Sequence, residues 1–399
     1  MIRLKDTRHS STSEFLSSAI GIAEYYGFSH LDALPRVAQS EKHRPYSVAK
    51  VESEITLARR DERALLSAAR KCLTNSERGR TTLAWRTSAS AAAPGLTLEL
   101  HIVGPSSAIA EALLIVVAHA IAEESGVAGR TLSINNIGSL ESSNRYVRDV
   151  GLYLRKHIES ITPTLRPRAA SDPLGTLVQL VERGHPAISR APQPMEYLTE
   201  EERRRFWELL EYLEMFGLPY ELDPHILGSR DCWSHSLFEL SALDQESGSQ
   251  VAFALGGRYD PLMSRFARTP MSAATVSIAC EIRGKTHIKR EAPKVRGDIQ
   301  PAIYFAHLGD EARRRALSVL ENLRRAGISV HQGLWHERIA EQMTDARKLA
   351  TPYILIMGHK EAVEGTILVR EVATNSQDAI PLPELSSYLK RRRVGIPRT

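Results

Sequence analysis

A chain of 399 residues is longer than a single hydrophobic core usually serves, so two domains with room for an inserted element is the starting expectation. Its 42% hydrophobic and 25% charged residues exclude a disordered polymer, and the longest apolar stretch, Ala108 to Ala122, is broken by Glu111 and His119 and too short for a membrane span. The formal charge of +5 permits a polyanionic partner without demanding one.

The first helix is expected over Ser11 to Tyr26, where Phe15, Ala19, Ile22 and Ala23 fall at helical spacing and Gly27 stands where a C-terminal cap belongs. A short strand, Ser29 to Asp32, a helix from Glu62 to Cys72 and an extended Thr81 to Arg86 follow, then a Ser- and Ala-rich loop from Thr87 to Leu96 broken at Pro94-Gly95. The run Thr97 to Val103 alternates with period two. Leu98, Leu100 and Ile102 share one face and Thr97, Glu99 and His101 the other, the pattern of a half-buried antiparallel strand. A helix from Ser107 to Glu124 closes the block.

Between Asn135 and Phe216 the pattern is mostly helical, at Tyr146 to Ile158, Leu177 to Glu182 and Glu200 to Phe216. Strands return at Ser236 to Leu243 and Val251 to Leu255, joined through Asp244 to Ser249 as a hairpin, and again at Ala274 to Ile282. Sheet, helical insert and sheet imply one α+β domain over residues 1–290, with the mostly helical insertion at 136–215. Residues 291–300, opening on Glu291-Ala292-Pro293-Lys294, are expected to be a linker. Thereafter the order is strand Ala302 to Phe305, helix Asp310 to Ala326, strand Ile328 to His331, helix Glu337 to Leu349, strands Tyr353 to Met357 and Thr366 to Arg370, and a helix near Glu384 to Arg391. This alternation implies a separate α/β domain over 301–399 with a largely parallel sheet.

Cys72, Cys232 and Cys280 lack the paired spacing of a zinc site or a disulfide framework, and the opening Met1 to Asp6 has no apolar segment of the signal-peptide kind. Reduced thiols and a cytoplasmic address without membrane association are the expectation. Arg203 to Arg205, Arg313 to Arg315, Arg324-Arg325 and Lys390 to Arg393 cluster on helical segments. Taken singly, each suits a solvated helix face.

In order and spacing, His307-Leu308-Gly309-Asp310, Leu323 to Ile328, Pro352 to Gly358, Glu364 to Arg370 and Ile380 to Leu385 resemble the C-terminal anticodon-binding domain of histidyl-tRNA synthetases. Upstream, Ile134 to Ser139, Phe216 to Tyr220 and Gly256-Gly257-Arg258-Tyr259-Asp260 are similar to that family's class II catalytic domain. The resemblance implies an antiparallel class II sheet with a helical insertion, an anticodon-binding α/β domain, homodimerisation and tRNA as partner. In such enzymes the amino-acid carboxylate attacks the ATP α-phosphate, so fixed cations carry much of the catalysis, and arginine suits the task.

Arg86, in Trp85-Arg86, matches the motif 2 arginine that holds the α-phosphate and the amino-acid carboxylate. Elsewhere the chain departs from the family. Its histidine signature aligns onto Gly228 to Glu239, so that Gly228 stands at the catalytic arginine and Cys232 and Trp233 at two tyrosines, with Trp233 filling space vacated by substrate. Arg230, two residues on and expected on a strand pointing to the same side as Gly228, is a conceivable substitute. Ile282 replaces the motif 3 arginine, Asp61 stands for the activation-site glutamate, and Thr97 and His101 fall where the family binds substrate histidine. Arg258 and Tyr259 could contact a ligand, although the glycines before them also serve the bend of a twisted sheet. His101 and His235 have no acidic or cysteine cluster to make them metal ligands. Motif 1, used for dimerisation, is not recognisable between Glu41 and Thr56.

These departures lead to a synthetase-like paralogue impaired in histidine activation, acting through tRNA or a protein partner, with no cofactor assigned. The alternative is an active, divergent histidine–tRNA ligase using ATP and magnesium, with Arg86 and Arg230 doing the phosphate chemistry. A third possibility, a synthetase-like regulatory subunit of ATP phosphoribosyltransferase, is disfavoured by the C-terminal domain.

Overall fold

The computed structural model describes all residues except 37–44, 60, 77–79, 90–94, 245, 247, 283–300 and 396–399. Two compact units emerge: Met1–Ser18, His30–Leu209 and Pro219–Ile288 form the first, and Ala19–Ser29, Leu210–Leu218 and Lys289–Thr399 the second. The expected linker at 291–300 lies outside the described residues.

In chain order the elements up to the linker begin with α1 (Thr12–Tyr25), β1 (Ser29–His30), α2 (Val48–Glu52), α3 (Glu62–Thr74), β2 (Thr82–Ala89), β3 (Gly95–Val103), α4 (Ile109–Glu124) and β4 (Thr131–Asn136). The insertion contributes α5 (Leu140–Lys156), α6 (Arg166–Ser171), α7 (Pro173–Glu182) and α8 (Glu200–Phe216). After it come β5 (Glu221–Leu222), β6 (Ser234–Leu243), β7 (Gln250–Arg258), α9 (Asp260–Ala267) and β8 (Ala273–Glu281).

One eight-stranded sheet in the order β1-β2-β3-β8-β7-β6-β4-β5 organises the first unit, and all its pairings from β2 to β4 are antiparallel. Its edge strands are only two residues long, which leaves little unpaired backbone to template aggregation. On one face α4 packs over β7 and β8, with Ile109 to Ala122 buried except at His119. On the other, α3 and α9 meet over the sheet in a core that includes Leu66, Cys72, Ala84, Trp233, Leu237 and Phe266. Helices α5 to α7 build a separate core from Tyr146, Val150, Leu154, Leu165 and Leu177.

Two expectations change here. The loop set at Thr87 to Leu96 shrinks, because β2 runs on to Ala89 and β3 starts at Gly95. Strand β3 is not half-buried: Glu99 and His101 are 4% and 0% exposed, so of its polar face only Thr97 stays partly open.

The second unit's sheet has the order β10-β9-β11-β12-β13. It is built from β9 (Ile303–His307), α10 (Asp310–Arg325), β10 (His331–Gln332), α11 (Ile339–Lys348), β11 (Tyr353–Met357), α12 (His359–Glu364), β12 (Thr366–Glu371), β13 (Gln377–Pro381) and α13 (Leu382–Arg391). Strands β9, β10 and β11 are parallel, while β12 and β13 pair antiparallel, so the sheet is less parallel than the alternation implied. Helix α10 buries Ala312, Ala316, Leu320 and Leu323, the stripe that its 3.6-residue spacing predicts. Two distant segments complete the unit. Tyr26 donates its hydroxyl to Glu321 at 2.6 Å, Ser318 to the Met215 carbonyl at 3.0 Å, and Arg314 pairs with Glu211 at 2.9 Å.

Candidate functional site

The candidate site is the face of the large sheet that carries Arg86, Thr97, Glu99 and His101. Register sets Arg86 on β2 directly opposite Glu99 on β3, and β3 continues through Thr97↔Ala279 and His101↔Thr275 onto β8. Arg86 is engaged by that neighbour: its Nε donates to Glu99 Oε2 at 2.7 Å and its Nη2 to Oε1 at 3.0 Å. Ser88 Oγ donates to Glu99 Oε1 at 2.5 Å, and His101 Nε2 approaches Oε2 at 3.4 Å. The other ring nitrogen of His101 lies 3.3 Å from the hydroxyl of Tyr259. One consistent arrangement has Tyr259 donating to Nδ1 and His101 donating from Nε2 to the carboxylate. Burial would raise the Glu99 carboxyl, but hydrogen bonds from His101 and Arg86 and their charges prevail and bring it down to about 2. Arg86, the residue that resembles a motif 2 arginine, is therefore held by an internal partner. Thr97 is half-buried at the open end of this row.

The segment preceding β6 is a turn rather than a strand. Cys232 N and Trp233 N both donate to the Ser229 carbonyl, at 3.0 and 2.8 Å. This corrects the expectation for Arg230, which does not lie along a strand beside Gly228; its Nη1 reaches Asn144 on α5 at 2.6 Å. The same turn folds the Trp233 indole back over Gly228. A Cβ added at Gly228 would stand 2.5 Å from Trp233 Cδ1 and 3.0 Å from Nε1, so no side chain fits at 228 while the indole holds its place. Cys232 is fully buried beside it, and burial pushes its thiol up.

Glu62 holds the indole from the other side. Its Oε1 accepts from Trp233 Nε1 at 3.1 Å and from Ser229 N at 2.6 Å, and its Oε2 accepts from Ala58 N and Arg59 N at 2.7 and 3.0 Å. Burial raises this carboxyl despite the backbone donors. Asp61, the residue expected to stand for the activation-site glutamate, turns away to a two-point pair with Arg59 at 3.0 Å on each oxygen. Its neighbour Glu62 occupies the interior.

Arg258 and Tyr259 are interior groups as well. Arg258 is 0% exposed and uses all five of its N–H donors: Nε and Nη2 on Glu111 at 2.9 and 2.6 Å, and the rest on the carbonyls of Pro105 and Ser107 and on Asp260. Tyr259 is fully buried and stands edge-on to His101. Ile282 follows β8 and is 45% exposed, an apolar side chain where the family resemblance asks for a cation; Arg283 lies outside the described residues.

The arrangement thus brings Arg86, His101 and Tyr259 into one hydrogen-bonded row and closes Trp233 over Gly228, while Arg230, Asp61 and Ile282 point elsewhere. Glu62 and Glu99 do the holding, and neither was singled out from sequence. Glu99 was visible as the third polar residue on the His101 face; Glu62 had only its adjacency to Asp61. Arg86 and Arg258 are ion-paired internally, Gly228 and Ile282 supply no charge, and among the described residues no group of three His, Cys, Asp or Glu stands as a metal site requires.

Residues 302–392 match the anticodon binding domain family. Among curated proteins the chain is similar to histidine–tRNA ligase of Bacillus licheniformis, 27% identical over 73% of this chain and 68% of that one. That of Symbiobacterium thermophilum is 28% identical over 74% of this chain and 68% of that one. The apo histidyl-tRNA synthetase structure from S. aureus aligns over 97% of this chain and 98% of that one, with 18% identity and a TM-score of 0.49. Over about three quarters of its length the chain is thus similar to histidine–tRNA ligases, and its residues 302–392 match the anticodon binding domain family.

Proposed function

We propose that this protein is a histidyl-tRNA-synthetase-like paralogue that has lost histidine activation and acts by binding tRNA through its anticodon binding domain. The observation that carries the first half is the Trp233 indole over Gly228. Activation requires fixed positive charge where the α-phosphate is attacked, because a preorganised cation stabilises charge that builds up in the transition state. At 228 the indole leaves room for no side chain, Ile282 is apolar, and Arg86 is neutralised by Glu99, an acid kept ionised by its donors. No free guanidinium among the described residues of the site remains to take the role. Histidine recognition is altered in parallel, since His101 stands where an acidic group would meet the amino group and already bridges Tyr259 and Glu99.

The second half rests on the matched domain at 302–392 and on the curated relatives, which are named as tRNA ligases. The test is a filter-binding titration with total tRNA at several salt concentrations. Binding that weakens steeply and log-linearly with salt is expected, as phosphate contacts require. Absence of binding even at low salt would contradict the tRNA half and leave a protein as the partner.

A further inference from the structure

The second unit ends in a concentration of cations whose number exceeds what its own structure uses. Helix α10 closes on Arg324-Arg325 and α13 runs into Lys390-Arg391-Arg392-Arg393. These ends are neighbours: Ser329 N donates to the Gly395 carbonyl at 2.9 Å, and a Cβ on Gly395 would stand 2.8 Å from Ile328. Glu321 takes both Arg324 and Arg325, at 2.7 and 2.8 Å, and Asp378 takes Arg392 at 3.2 Å, whose guanidinium also lies 4.8 Å over the Tyr388 ring. Lys390, Arg391 and Arg393 are exposed, and among the described residues none of them has an ion-pair partner.

A structural role accounts for part of this charge. Each helix C-terminus carries about half a negative charge, which a cation in the last turn complements. Beyond that role stand Lys390, Arg391 and Arg393, exposed and without an ion-pair partner among the described residues. They are strung along an exposed stretch at the end of α13. A row of mobile point charges suits a polyanion whose phosphates repeat along a backbone.

We infer that the joined ends of α10 and α13, through Lys390, Arg391 and Arg393, form the docking site for an RNA phosphate backbone. This inference rests on the tRNA-binding function proposed above and assigns it to a surface. Arg392, held by Asp378 and stacked on Tyr388, fixes the turn that presents its three neighbours.

The test compares Lys390→Glu/Arg391→Glu with Lys348→Glu/Lys360→Glu in the full chain, using total tRNA as probe and thermal melting to verify folding. Both pairs change the net charge equally, and Lys348 and Lys360 are 72% and 76% exposed on other helices of the same unit. The α13 pair is expected to weaken tRNA binding about tenfold or more and to reduce the slope of log affinity against log salt by about two, while the control pair stays within about twofold of wild type. Equal weakening by both pairs, or wild-type binding by the α13 pair, would overturn the inference and leave tRNA binding intact. A wild-type chain that binds anionic phosphatidylserine vesicles but no tRNA would overturn both.

Discussion

Trp233 and Gly228 act as one unit at the scale of single residues: the glycine exists because the indole does. Gly228→Ala pushes a methyl group to within 2.5 Å of Trp233 Cδ1 and is expected to destabilise the chain by about 1–3 kcal/mol, as overpacking of a closed interior does. Trp233→Ala alone opens a cavity and removes one of the donors to Glu62, at about 3–5 kcal/mol. In the Trp233→Ala background the alanine at 228 should cost almost nothing, so a urea-unfolding cycle should show strong coupling. Additive effects of the two substitutions would mean that the indole does not fill this space. The alignment alone exposed Gly228 as a lost arginine, and it suggested that Trp233 fills the vacated space. It could not reveal that the turn at Ser229 folds the ring back onto the glycine, nor that Glu62 rather than Asp61 secures it, because neighbours brought together across a loop leave no periodic trace.

Strands β2 and β3 carry the corresponding argument at the scale of elements. Alternation in Thr97 to Val103 was legible, because a strand with one face on an apolar core must be apolar at every second position. The same pattern misled about the other face. Glu99 and His101 are buried there because Arg86, Ser88 and Tyr259 satisfy them, and a satisfied buried acid looks in sequence like a solvated one. Glu99→Ala should cost about 3–5 kcal/mol by leaving Arg86 without its counter-charge in a largely closed site. The pH dependence has a definite sign. A carboxyl depressed to about 2 in the folded state contributes its stability above the ordinary carboxylate range and loses it as pH falls through the folded value. The stability difference between wild type and Glu99→Ala should therefore hold from neutral pH to about 4.5 and shrink between there and about 2. A difference that already collapses at pH 6 would show that Glu99 is not held by this network. Strands β4 and β13 and helices α2, α9 and α12 went unassigned from sequence. They are short or closely follow glycine or proline, where periodicity has too few residues to register.

Across the whole molecule, the anticodon-type unit and the class II sheet were both readable, since several hundred residues of collinear motifs outlast low identity. What the sequence did not indicate is that residues 19–29 and 210–218 join the second unit, through contacts such as Tyr26 on Glu321. On the proposed function, a synthetase-like fold is kept in outline while its catalytic face is closed from within, by the Trp233 indole over Gly228 and by Glu99 on Arg86. Histidine-dependent ATP–pyrophosphate exchange by the purified full chain tests that account most directly. Exchange no greater with histidine than without it is the predicted result, and clear histidine-dependent turnover would contradict it.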